Sequence, residues 1–139
     1  MELIIVIQLL YLLAMHWLAD FVCQTNWQAT NKCHDNDALS LHVLTYVSVF
    51  IGCGFILHAW YWIVMDYNTL FGYAPWHWIG FCVVNGAIHW VVDYFTSRLN
   101  SSLWKQGQIH DFFVSVGFDQ FIHATCLFLT YYWFFLKIN

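Results

Sequence analysis

The chain has 139 residues, of which 61% are apolar and only 4 Lys+Arg and 8 Asp+Glu are charged. A soluble domain carries about 25% charged residues, largely on its exterior, so a soluble globule is excluded. The 22% aromatic content excludes disorder, and the acidic balance excludes a nucleic-acid binder, which needs a basic footprint.

What survives is an all-α integral membrane protein. A spanning helix needs about 20 mostly apolar residues. Four segments qualify, at about 3–22, 39–63, 77–96 and 112–136. The first opens on Glu2 with no positive region before it and no small-residue cleavage site after it, so a retained span is expected rather than a signal peptide. The only proline, Pro75, stands just before the third, where a helix start tolerates it. Three polar connections, 23–38, 64–76 and 97–111, separate the spans. The expected architecture is a single domain over 1–139, a four-helix bundle running up-down-up-down.

The first and third connections carry Lys32, Arg98 and Lys105, and the other side carries only Lys137. The positive-inside bias therefore puts those connections in the cytoplasm and both termini outside. Trp60, Tyr61, Trp62, Trp76, Trp78, Tyr131, Tyr132 and Trp133 then form an aromatic belt at the outer interface. The five cysteines are scattered and form no C-x-x-C pair, which suggests small buried residues, with Cys23 within reach of the polar groups described next. Gly52, Gly54, Gly80 and Gly86 permit close helix approach and so a homo-oligomer.

Three charged residues lie inside the spans: Asp20, Asp93 and Asp119. Each has a histidine four positions away, giving the pairs His16/Asp20, His89/Asp93 and Asp119/His123. That spacing puts both side chains on one helix face, one turn apart. About one such pair is expected at random for eight histidines among this many aspartates. In an antiparallel bundle all three pairs, with His42 at the start of the second span, fall at one level near the cytoplasmic side.

An isolated carboxylate in a bilayer costs a few kcal/mol and faces the bundle interior with a partner. Three explanations are open: structural hydrogen bonds, a proton or ion relay, and a metal site. Mixed His/Asp ligation suits Zn²⁺, Fe²⁺ or Mn²⁺, and seven groups suffice for two ions. In the metal reading His16, Asp20, His89, Asp93, Asp119 and His123 are the ligands. His42 completes the set or acts as base. Lys32 and Arg98 hold anionic oxygens of a substrate, since Arg matches phosphate bidentately and Lys offers a point charge. The alternative for these two is headgroup anchoring. His34, His110, His58 and His77 fall outside the set.

The boxes His16-x-x-x-Asp20-Phe21-x-x-Gln24, His89-x-x-x-Asp93 and Phe118-Asp119-Gln120-x-x-His123, with Lys32, His42 and Arg98, resemble the family of small phage and bacterial integral membrane proteins filed as a domain of unknown function. The resemblance runs from His16 to His123 and implies a polytopic protein of the bacterial inner membrane, encoded by a phage or a bacterium, with no assigned activity. The His/Asp pattern is also similar to that of membrane-bound metal-dependent hydrolases. The leading expectation is a metal-dependent hydrolase acting on a phospholipid or other phosphate-containing headgroup substrate. The alternatives are an ion pathway and a non-enzymatic phage module, for superinfection exclusion or lysis, built on a structural metal node.

Overall fold

The computed structural model describes the backbone of residues 2–64 and 75–137, and the side-chain surroundings of these except 2, 4, 58–64 and 75. The described chain is almost wholly helical: α1 (Glu2–Trp17), α2 (Asn26–Asn31), α3 (Asn36–Val64), α4 (Pro75–Lys105) and α5 (Ile109–Tyr131). Two π-helical turns extend the bundle helices, Leu18–Val22 after α1 and Tyr132–Lys137 after α5. Among the described residues four helices are long and apolar enough to cross a membrane, and the protein is an all-α membrane bundle.

The core explains the bundle. Buried residues recur every four positions on each long helix: Leu12, His16 and Asp20 on α1 and its π-turn; His42, Tyr46 and Phe50 on α3; Phe81, Asn85, His89 and Asp93 on α4; Asp119, His123, Leu127, Tyr131 and Phe135 across α5 and its π-turn. Each of these stripes lies along one face of its helix. One end of every stripe is apolar and the other polar. The apolar ends meet as a plug of Leu12, Phe50, Phe81, Leu127, Tyr131 and Phe135. Most outward-facing residues are large and apolar, as lipid contact requires.

The connections depart from expectation. The first is not a loop: it contains α2, begun by a capping box in which the Thr25 hydroxyl accepts from Gln28 N–H at 3.2 Å and Gln28 Oε1 accepts from Thr25 N–H at 2.8 Å. This T-x-x-Q signature satisfies two orphan amide donors. The third connection shrinks to 106–108, where Gly107 takes φ 70° to turn the chain. Polarity suggested a loop over 97–111, but the helix continues through Ser97, Arg98 and Lys105 because their side chains cost a solvent-facing helix little. At 31 residues α4 is about 46 Å long, more than the ~30 Å of hydrocarbon. The second connection, 65–74, lies outside the described residues, as do the side chains of His58, Trp60, Tyr61 and Trp62.

Two members of the expected aromatic belt are turned inward. Tyr131 is buried with its O–H donating to Gln8 Oε1 at 2.6 Å, and Trp78 donates to Phe50 O at 3.1 Å. Trp76, Tyr132 and Trp133 are exposed, as a belt requires. Of the glycines expected to permit close helix approach, Gly86 and Gly54 do so within the chain, where a side chain would strike Val47 and the Trp78 indole; one at Gly80 would press on Phe134, and Gly52 faces open space.

Candidate metal centre

The polar ends of the four stripes meet in a single buried cluster. It contains His16, Asp20, His42, His89, Asp93, Asp119 and His123, each less than 10% exposed. The π-turn after α1 carries Asp20; its wide i→i+5 bond, Cys23 N–H to Leu18 O at 2.9 Å, replaces the ordinary helical bond. Such turns are frequent at functional sites.

The i, i+4 pairs that signalled the site are not its tightest contacts. His16–Asp20 measures 3.8 Å, His89–Asp93 3.6 Å and Asp119–His123 3.4 Å. The shorter contacts cross between helices: His42 Nε2 to Asp20 Oδ1 at 3.1 Å, and His123 Nε2 to Asp93 Oδ1 at 3.2 Å. The helical spacing sets the level, and the neighbouring helices supply the partners.

Among the described residues two groups of atoms have the spacing of metal ligands. One comprises Asp20, His42, His89 and Asp93; the other comprises Asp93, Asp119 and His123; within each, the ligand atoms lie within 4.8 Å of one another. Asp93 belongs to both. Its Oδ2 faces His42 at 3.4 Å and His89 at 3.6 Å, while its Oδ1 faces His123. In the first group His42 Nε2 lies 3.1 Å from both Asp20 Oδ1 and His89 Nε2. A ring nitrogen carries at most one proton, so protons alone cannot turn all of these contacts into hydrogen bonds. A cation between them satisfies all of them together. These buried His/Asp groups can hold a metal ion.

His16 stands differently. The Gln120 amide nitrogen donates to Asp20 Oδ2 at 3.2 Å and Asp119 Oδ2 at 3.1 Å, and an ionised carboxylate only accepts. The Gln120 carbonyl must then face His16 Nε2, 3.0 Å away, so Nε2 carries the proton. The remaining nitrogen, Nδ1, accepts from Tyr46 O–H at 3.1 Å. Both ring nitrogens are engaged, and neither offers a lone pair to an ion.

Tyr46 and Gln120 complete the site, and the sequence reading assigned neither a role. Tyr46 is one turn from His42, so the same four-residue rule reaches it. Its ring stacks on His89 at 4.2 Å, and His123 stacks on His89 at 4.2 Å, which fixes the His89 plane. Nδ1 of His42 and of His89 are buried without a hydrogen-bond partner, so stacking and the Nε2 contacts hold these rings.

The two cations expected near the site separate. Lys32 Nζ enters the cluster, donating to Asp93 Oδ2 at 2.7 Å and to His42 Nε2 at 3.3 Å. Arg98 is engaged elsewhere: its guanidinium donates to Tyr94 O at 2.6 Å and Asn36 Oδ1 at 2.7 Å and lies over the Tyr94 ring at 3.8 Å. With Ser97, whose hydroxyl donates to Lys32 O at 3.5 Å, it fastens the first connection to α4. Cys23 is a free, partly buried thiol outside both ligand groups, and His34 and His110 are exposed.

Fold and site together define a polytopic helical membrane protein with a buried His/Asp centre able to hold a metal. The chain belongs to the family described as "Protein of unknown function (DUF3307)", whose family model matches residues 8–139. No curated protein and no solved structure matches it.

Proposed function

We propose that the protein is a metal-dependent membrane hydrolase that cleaves a phosphate ester of a lipid or other headgroup substrate. The observation that carries this reading is the division of the Asp93 carboxylate between two adjoining ligand groups. A carboxylate shared in this way suits a pair of divalent ions, the arrangement that serves phosphoester hydrolysis by holding attacking and leaving oxygens together. In this proposal Asp20, His42 and His89 hold one ion, Asp119 and His123 the other, and Asp93 both. His16 becomes a positioning residue acting through Gln120, and Arg98 a positioning residue acting on the first connection. Lys32, at the rim, meets substrate oxygens.

Charge supports the substrate class. Asp20, Asp93 and Asp119 against Lys32 leave two negative charges when the imidazoles are neutral. One divalent ion balances these; two leave an excess that an anionic phosphate and a hydroxide would neutralise, and buried charge requires such balance. Depth supports access from one side. Beyond the centre, the plug of Leu12, Phe50, Phe81 and Leu127 closes the bundle. The same plug counts against an ion pathway through the molecule. From the Lys32, Arg98 and Lys105 side we take the open face as cytoplasmic.

A second reading, a hydrogen-bonded node that only fixes the bundle, is favoured by the 2.7 Å Lys32–Asp93 pair, which already compensates one carboxylate. One experiment separates them. Purified protein is analysed for Zn, Fe and Mn and assayed for phosphate or headgroup release from mixed phospholipid micelles. The proposal expects stoichiometric metal, and release that chelation removes and Asp93→Asn abolishes. Metal-free protein, or release indifferent to Asp93→Asn, sinks it.

A further inference from the structure

Lys32 is placed on a fixed backbone with a long side chain of four methylenes. It follows α2 directly, and its amide N–H closes the helix by donating to Gln28 O at 3.0 Å. α2 is tied to α3 by Gln28 Nε2 donating to Thr45 Oγ1 at 3.1 Å, and its far end to α4 by the Ser97 hydroxyl donating to Lys32 O at 3.5 Å, while Arg98 ties α4 to Asn36 at the start of α3. The backbone on both sides is thus held, while four methylenes carry the ammonium inward. Its partners are almost wholly enclosed, Asp93 at 3% and His42 at 0% side-chain exposure, whereas the Lys32 side chain retains 17%. The ammonium therefore reaches the centre from the rim, and the same route leads out.

The atoms it binds belong to the first ligand group. Asp93 Oδ2 and His42 Nε2 are its acceptors, and both also converge with Asp20 Oδ1 and His89 Nε2. A lone pair that accepts from an ammonium is not available to an ion. A transition metal bonds such atoms at about 2.0–2.2 Å, which would set it against an ammonium of like charge in the same space. The second group differs. Asp93 turns its other oxygen, Oδ1, towards it, and neither Asp119 nor His123 is an acceptor of Lys32.

We propose that the position between Asp20, His42, His89 and Asp93 is a cation-exchange site, filled by the Lys32 ammonium until a divalent cation displaces it to the rim. This rests on the metal-centre reading and adds an order of loading to it. The Asp93–Asp119–His123 position fills first, without competition. The four-residue position fills second, and its filling delivers a positive side chain to the mouth, where an anionic substrate arrives.

The test is a titration of the full chain in lipid nanodiscs with Zn²⁺, and in parallel with Mn²⁺, by chelator competition with bound metal counted by mass spectrometry. The wild type should bind one ion tightly and a second at least tenfold more weakly. In Lys32→Met the weaker affinity should rise at least tenfold. Asp119→Asn should remove the tight ion instead. Thermal unfolding gives an independent readout: metal-free Lys32→Met should unfold at a lower temperature than the wild type, and added metal should restore it, because the metal replaces the missing cation. Equal affinities in wild type and Lys32→Met overturn the exchange and leave the metal centre standing, as does a loss of stability that metal does not restore. Absence of binding of either metal by both proteins overturns the metal centre itself.

Discussion

Replacing Asp93 with asparagine tests the shared carboxylate most directly. The substitution keeps the shape and removes one charge from a residue that is 2% exposed. The Lys32 ammonium is 2.7 Å away, and at an effective dielectric of about 20 the gross attraction is about 6 kcal/mol. Breaking a fully buried pair costs about 3–5 kcal/mol. Lys32 reaches the rim and can turn towards water, so the expected net loss is about 2–3 kcal/mol, read by unfolding in mixed micelles. The effect on metal is the sharper outcome. Partners that merely orient a ligand cost about 10–100-fold in affinity when removed, and a lost ligand should exceed that. Because Asp93 serves both groups, Asp93→Asn should weaken both ions together by more than about 100-fold, whereas Asp20→Asn should weaken only one. Retention of one ion at wild-type affinity in Asp93→Asn would refute the sharing.

Tyr46→Phe removes the hydroxyl that donates to His16 Nδ1 but keeps the ring stacked on His89. It should cost about 1 kcal/mol in thermal unfolding and leave metal stoichiometry unchanged. A lost ion would contradict the outer role given to His16. Gln120→Leu leaves the His16 Nε2–H without its acceptor and two carboxylates without a donor. About 2–3 kcal/mol should be lost, and a change below about 0.5 kcal/mol would show that the amide is not needed there. Phe50→Ala opens a cavity in the plug at a residue with no exposure and should cost about 3–5 kcal/mol. Measured by ion flux into liposomes, it should open no conduction; conduction blocked in wild type and open in the variant would revive the pathway reading.

The placement of the charges was legible in the sequence because the membrane makes them costly. Asp20, Asp93 and Asp119 had to face inward, and a histidine one turn away marked which face. The level was legible too, since antiparallel spans bring His42 and the three pairs together without any knowledge of packing. What the sequence withheld was the pairing across helices. Whether Asp20 meets His16 or His42 depends on helix rotation and on the π-turn at Leu18–Val22, which no local pattern announces. Lys32 and Arg98 show the same limit. Both are cations near one face by sequence, yet one reaches Asp93 and the other is drawn to Asn36 and Tyr94. Polarity was a poor guide at 97–111, because a helix that has left hydrocarbon can carry polar residues as readily as a loop does. The T-x-x-Q box of Thr25 to Gln28 was readable as a helix start and marks an element missing from the four-span outline.

The first ligand group draws on α1's π-turn, α3 and α4, whereas the second lies wholly on α4 and α5, joined by the turn at 106–108. Ribosomal synthesis delivers these parts in order. Asp20 and His42 are synthesised before any residue of α4, and the second group is completed on one hairpin at the end. Lys32 is the only Lys or Arg that precedes Asp93 in the chain, and it follows Asp20 by twelve residues. The nascent N-terminal half therefore brings its own counter-ion. The lysine that ends beside Asp93 is also the cationic side chain nearest Asp20 in sequence.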